Sequence, residues 1–385
     1  MPKIIDRIDR AYYRLLTSQN RVLRTLDRVF EKTFGQVRVA RPAPAGGPAD
    51  AFGYNFFMDG GSTRSQIERA FDETMLDFTP GQEVKCKLDK YVVEKLWTEG
   101  GMARIYVVRD SRNQKHLLKV PKFSDSPKPD RELIRQRFQT EIEVMKHITA
   151  MYEIEKRSPD QRRVVKLIDW DKDSRYLVME YIQGTNLYLF LRSLFDQNQI
   201  PPLGLSCFIV SQVLLGLMDY EAAMLWKSDM TAVAHRDIKP DNILLEMPGN
   251  NIERVLLSDF GIAKKPDSTV TAIGQLLGTP GYIPPEEAKA ADQRSDNFSL
   301  GVMLHWMVTT VEPFGNAIPS SQGEIDNMKK ILDDIRSKKP DWVPRHLWET
   351  VLQAMALDRD KRFESYQEFH AALEIDREMI EKAGR

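Results

Sequence analysis

The sequence predicts an α+β protein of two lobes, a small strand-rich lobe followed by a larger helical one, with a cleft between them. Three observations predict it. Short β-like runs occupy 91–97, 104–108 and 116–120; an amphipathic helix follows over 131–150; and beyond Gly184 the pattern is mainly helical.

Over the first 34 residues, Ile5, Ile8, Tyr12, Leu15, Gln19, Val22, Leu26 and Val29 recur at steps of three and four, the seam of a long helix over 1–40. Arg7, Arg10, Arg14, Arg21, Arg24 and Arg28 fall on the other face, and the segment carries eight basic against four acidic residues, a balance of +4. Charged outer faces are the default for amphipathic helices, so we favour a solvated helix whose seam docks on the rest of the chain or pairs in a homodimer. The sharper alternative is a basic surface for an anionic partner, a nucleic acid or an acidic membrane. The stretch RPAPAGGPAD at 41–50 cannot hold a regular element and reads as a linker. Residues 51–87 form a helical and aromatic extension: Tyr54, Phe56, Phe57 and Met58 cluster, and Ser62 or Thr63 caps a helix running to about Phe78 past Ile67, Phe71 and Met75. The two-lobed unit then occupies 88–378. Its helix carries Leu133, Ile134, Phe138, Ile142, Met145 and Ile148 on its apolar face, and two more strands are expected over 164–170 and 176–181. The small lobe spans 88–180, the connection 180–184 and the large lobe 185–378.

Composition narrows the class. The 385 residues are 42% hydrophobic and 29% charged with a formal net charge of −1, so no global positive charge exists to neutralise phosphates. Cys86 and Cys207 stand far apart, which excludes a disulfide framework or a Cys-x-x-Cys zinc site. No run reaches the ~18–20 continuous apolar residues that span a bilayer. The opening MPKIIDRIDR lacks the apolar core of a secretory signal, and a cytoplasmic location is expected.

The densest signal is His235-Arg236-Asp237-Ile238-Lys239-Pro240-Asp241-Asn242-Ile243-Leu244-Leu245, followed by Asp259-Phe260-Gly261, with Asp259 22 positions after Asp237. These strings resemble the catalytic and metal-binding loops of the protein kinase family, in the form found in bacterial (Hanks-type) serine/threonine kinases. The resemblance runs from about Tyr91 to Leu373 and implies the bilobal kinase fold, with ATP and Mg2+ (Mn2+ as an alternative) as cofactors and proteins bearing Ser or Thr as substrates.

Phosphoryl transfer asks a protein for positioning and charge neutralisation. By resemblance, Asp237 would orient the acceptor hydroxyl and take its proton, and Lys239 would hold the γ-phosphate. Asn242 and Asp259 would supply hard oxygen ligands to magnesium. Thr98-Glu99-Gly100-Gly101-Met102-Ala103 resembles the loop that covers the phosphates, where glycine lets the backbone approach closely. Lys119 would grip the phosphates and pair with Glu141. Ile105 and Leu117 would line the adenine site, Met179 would guard its back, and Glu180 and Ile182 would offer backbone hydrogen bonds to the base. Glu286 would pair with Arg362, and Asp296 would brace the catalytic loop. Lys239 together with Thr279 implies a Ser or Thr acceptor rather than Tyr. Arg236 would meet a phosphate on the activation segment, where Ser268, Thr269 and Thr271 are the candidate acceptors.

The sequence departs from the family pattern at a few positions. Thr98 and Ala103 replace the first and third glycines, Leu117 replaces the small residue that roofs adenine, and Pro284 replaces an alanine. None removes a catalytic group. The competing readings are a pseudokinase that scaffolds with bound nucleotide, and an adaptor acting through the arginine face of the first helix.

Overall fold

Period-two burial makes the first sheet. Tyr91 and Val93 are buried and Val92 between them is exposed, so one face of this strand seals a core while the other meets water. In the computed structural model, which describes residues 77–100, 103–122, 128–227, 234–249, 251–260, 280–286 and 292–383, that strand is β2 (Lys90–Glu99). It belongs to a six-stranded antiparallel sheet of order β1-β2-β3-β4-β6-β5, with β1 Glu83–Lys85, β3 Ala103–Arg109, β4 Lys115–Pro121, β5 Leu167–Trp170 and β6 Leu177–Glu180. Tyr91, Val93, Tyr106, Val108, Leu118, Val120 and Val178 meet inside it. Buried Asp169 ties the β1–β2 turn to β5, accepting from the amides of Leu88 and Asp89 at 3.0 Å and from the Tyr91 hydroxyl at 3.3 Å.

Helix α1 (Lys128–Ile154) packs Phe138, Ile142, Met145 and Ile148 into a second, larger core that continues through β5 into the large lobe. That core is built on α3 (Leu203–Lys227), α4 (Gln293–Thr309), α6 (Arg345–Ala354) and α7 (Tyr366–Ala383), with α2 (Leu187–Phe195) and α5 (Gln322–Ser337) outside them. Within α3, Leu203–Met224 is long and apolar enough to cross a membrane by length and composition. Here it lies inside the fold, with Ile209, Val210, Val213, Leu214 and Leu217 buried. Helix α4 is buried from Ser295 to Val308, and a Cβ on Gly301 would come within 2.7 Å of Ala354, so glycine sets the close crossing of α4 and α6.

Several sequence expectations change. The first sheet begins at Glu83, five residues before the expected boundary at 88, because β1 pairs with β2 through Val84↔Tyr91. Asp77 and Phe78 are not helical; Phe78 instead packs edge-on against Tyr106 and Tyr176 at 5.7 and 5.9 Å. The large lobe is not helical alone. It opens with a three-stranded sheet, β7 (Gly184–Asn186), β8 (Ile243–Glu246) and β9 (Arg254–Leu257). Their short apolar runs cannot be told from helix by periodicity. The heptad segment, the 41–50 linker and the Tyr54–Met58 cluster lie outside the described residues, as do Gly101, Ser268, Thr269, Thr271 and Thr279.

Candidate active site

The β8–β9 hairpin brings the distant motifs together. Ile243 pairs with Leu257, so Asn242 and Ser258 leave the same end of the hairpin, and both the amide and the hydroxyl of Ser258 donate to the Asn242 carbonyl at 2.9 and 3.0 Å. Asp259 follows at once. A separation of 22 in sequence thus becomes adjacency in space because a hairpin closes between the two aspartates. Asp259 and Arg236 both hold left-handed backbone, at φ 56° and 63°. Such conformations in non-glycine residues cluster at functional sites.

On the large-lobe side, Asn242 Nδ2 donates to the Asp237 carbonyl at 2.8 Å and to Asp237 Oδ2 at 3.0 Å. Lys239 Nζ stands 3.3 Å from the same Oδ2. With its amide nitrogen committed to Asp237, Asn242 has its neutral oxygen left to offer a cation. Asp259, directly after the Ser258 that bonds the Asn242 carbonyl, adds a carboxylate that is 49% exposed. Neutral and anionic hard oxygens suit magnesium, so the residues present fit that ion.

The loop is bolted from beneath. Asp296, 1% exposed on α4, accepts from the amides of His235 and Arg236 at 2.7 and 2.9 Å and from the Tyr366 hydroxyl at 2.6 Å. Burial pushes its carboxyl up, and these hydrogen bonds pull against that. The His235 ring lies 5.3 Å from Phe260, which lies 5.3 Å from Tyr220 of α3. The residue after Asp259 is thereby packed onto the residue two before Asp237.

On the small-lobe side, Lys119 on β4 donates to Glu141 Oε1 of α1 at 2.7 Å and makes a shorter contact with Asp259 Oδ1. Burial alone would lower the lysine's pKa; the carboxylates of Asp259 and Glu141 outweigh it and hold the pKa above the ordinary value, so the ammonium stays charged. Ile105 pairs with Lys119 and Leu117 with Met179, which puts these positions on neighbouring strands of one sheet. Thr98 pairs with Ile105, and Gly100 N donates to the Ala103 carbonyl at 2.9 Å, closing the base of the hairpin tip. Beyond β6, Ile182 packs against the large core.

Glu286 and Arg362 also meet. The guanidinium holds both carboxylate oxygens at 2.6 and 2.9 Å and spends its remaining hydrogens on the carbonyls of Ala356, Leu357 and Arg294. Every donor of a fully buried arginine is satisfied. The sequence reading missed Tyr366 and Ser258. Ser258 could have been suspected from its place before Asp259, whereas nothing local marks Tyr366, 70 residues from Asp296.

The model of the protein kinase domain matches residues 91–372. The chain belongs to the protein kinase family. Among curated relatives, the kinase is 34% identical over 236 residues to the serine/threonine-protein kinase pkn3 of Myxococcus xanthus, covering 58% of this chain and 38% of that one. It is 26% identical over 294 residues to the serine/threonine-protein kinase PrkC of Bacillus subtilis, covering 73% of this chain and 40% of that one. The chain spans about two fifths of the length of these relatives. The kinase domain of PknI from Mycobacterium tuberculosis superposes with a TM-score of 0.51 at 21% identity, covering 78% of this chain and 99% of that one, a likeness of fold. The bilobal architecture expected from sequence is therefore the family's own.

Proposed function

We propose that this kinase transfers the γ-phosphate of ATP to serine or threonine residues of proteins, with magnesium as the metal. The observation that carries the reading is the assembled cleft: Lys119 within 2.7 Å of Glu141 and in contact with Asp259, facing an Asp237 that Asn242 and Lys239 surround within 3.3 Å. Names of the relatives support the choice of acceptor, and Lys239 two residues after Asp237 agrees with it. In the proposed reaction Asp237 orients the acceptor hydroxyl and takes its proton, while Lys239 and Lys119 steady the phosphates. Asn242 and Asp259 would hold the metal, which supplies charge neutralisation between the phosphates when bound.

We place the enzyme in the cytoplasm, where ATP is supplied. Phosphorylation of Ser268, Thr269 or Thr271 would add charge that Arg236 can meet. The pseudokinase reading is disfavoured by the completeness of the charged groups in the cleft. Leu117 leaves room for weakened ATP affinity, because a leucine fills space against the base that a smaller residue leaves open.

The test compares wild type with Asp237→Ala on a generic basic protein with ATP and Mg2+. Phosphate incorporation into Ser and Thr is expected for wild type, with a fall of about 10²–10⁴-fold in the variant. Mass spectrometry of the same reactions reports whether residues 268, 269 and 271 are modified. No transfer by wild type in which nucleotide still binds would favour the scaffold reading.

A further inference from the structure

Arg254 of β9 joins three other segments behind the connection between the lobes. Its guanidinium holds Glu246 of β8 through both arms, Nη2 to Oε1 at 3.0 Å and Nε to Oε2. Nη2 also reaches Oε2 of Glu180 at 3.4 Å, and Nη1 donates to the Pro159 carbonyl at 3.2 Å. The side chain is 9% exposed. Burial works against its charge, and the hydrogen bond and charge of Glu246, with the charge of Glu180, outweigh that, so the pKa stands above the ordinary arginine value.

Glu180 is the last residue of β6 and begins the interlobe connection. Its other carboxylate oxygen accepts the Lys166 amide at 2.7 Å, and its own amide donates to the Lys166 carbonyl at 3.0 Å. Three residues on, the Gln183 carbonyl accepts the Met247 amide at 2.7 Å, and Gly184 pairs with Glu246. A Cβ on Gly184 would overlap the Leu245 carbonyl, so β7 runs as close to β8 as backbone permits. The connection is thus fastened at both ends to the strand whose far end bears Asn242. At its first residue the link to β8 runs through one cation, because Glu180 and Glu246 are like charges and, among the described residues, Arg254 is the cation paired with both. Remove that cation and two half-buried carboxylates repel across the junction of the lobes.

We propose that Arg254 and Glu180 form a brace that fixes the interlobe connection in register with the β8–β9 hairpin, making Arg254 a positioning residue for the nucleotide base rather than for its phosphates. The proposal rests on the kinase reading above, in which residues 180–182 contact adenine. The brace touches neither Lys119 nor Asp259, so its loss shifts base affinity and spares the phosphate-binding groups.

The experiment uses the full chain, with Arg254→Met, Arg254→Lys and Glu180→Gln. Steady-state kinetics and calorimetric titrations with ATP and with adenosine are read beside amide hydrogen exchange of the nucleotide-free protein. Arg254→Met is expected to raise the KM for ATP about five- to tenfold, the low end of coupling between separated groups. It should weaken adenosine by the same factor, with kcat little changed. Arg254→Lys should recover part of the loss, since an ammonium cannot hold both arms of Glu246 while reaching Glu180. Exchange across residues 180–183 should quicken in both Arg254→Met and Glu180→Gln. The gentler Glu180→Gln keeps the acceptor for Lys166 and serves should Arg254→Met fail to fold. Unchanged KM, a fall in kcat alone, or a loss for ATP without one for adenosine would overturn the proposal. Unchanged exchange at 180–183 would overturn the brace itself, even if wild type neither binds nucleotide nor transfers phosphate and the kinase reading has failed on its own.

Discussion

The two walls of the cleft hold their chemical groups by different means. Asp237 stands on a loop whose base is fixed by the buried Asp296 carboxylate, and Asp296 sits on a helix buried from Ser295 to Val308. Lys119 stands on β4 and is fixed by one ion pair to Glu141 and one contact to Asp259, across three elements that approach from two lobes. Toward the cleft the small lobe thins out, with Leu96 47% and Trp97 50% exposed near the end of β2 and two bulges in its pairing with β3. Bulges twist a strand and bend it locally. The large lobe thus forms a fixed bench, and the small lobe a jaw tied to it by the Lys119–Asp259 contact. A wall fixed by few interactions opens locally at lower free energy than one bolted into a buried helix.

Damage to each wall should strike activity and stability in opposite order. Lys119→Met should cut turnover by roughly 10²–10³-fold, the scale for removing a preorganised charge at a transferring group. Its stability loss should be the smaller of the two variants, because half-exposed Asp259 can turn to water and the buried Glu141 carboxyl, its pKa already raised by burial, can take up a proton. Asp296→Ala should act in the opposite order. It strands two backbone amides and a tyrosine hydroxyl in the core, at about 3–5 kcal/mol. That is a fall in Tm of about 10 °C for a domain of this size. Thermal denaturation and phosphate incorporation on both proteins decide the matter; equal melting losses would erase the distinction between bench and jaw.

The smallest effect sharpens the picture of the bench. His305, buried on α4, donates Nδ1–H to the Val311 carbonyl at 3.0 Å, and burial lowers its pKa to about 4 from 6.5. The unfolded chain binds this proton between pH 6.5 and pH 4 and the folded one does not. Its contribution to stability is therefore full above pH 6.5 and is lost as pH falls toward 4, by on the order of 3 kcal/mol across the span. Denaturant titrations at pH 7 and pH 5 should show a smaller difference in His305→Gln than in wild type. An identical difference in the two proteins would mean that other groups carry the acid sensitivity of the large lobe.

How far the sequence could be read depended on whether the needed signal was local. The string from His235 to Leu245 and the Asp259-Phe260 pair are contiguous, so the resemblance could single out Asp237, Lys239, Asn242 and Asp259 from short windows of sequence. The pairs Lys119–Glu141 and Glu286–Arg362 were expected only by resemblance, since nothing in either spacing requires contact. The β7–β9 sheet was missed because Ile243–Glu246 and Arg254–Leu257 are four residues each, too short to show a period.

The order of the lobes was written in short-range pattern, and the motifs that carry the family resemblance are contiguous strings, so both could be read without a structure. Packing of distant elements settles that Tyr366 shares Asp296 with the His235–Arg236 amides, that Ser258 locks Asn242, and that Arg254 clasps Glu180 and Glu246. Those partners lie 70, 16, 74 and 8 residues apart. The physical reason is that a buried polar group must find its partner in space. Which partner it finds is set by the packing of whole elements, and no short window of sequence contains that.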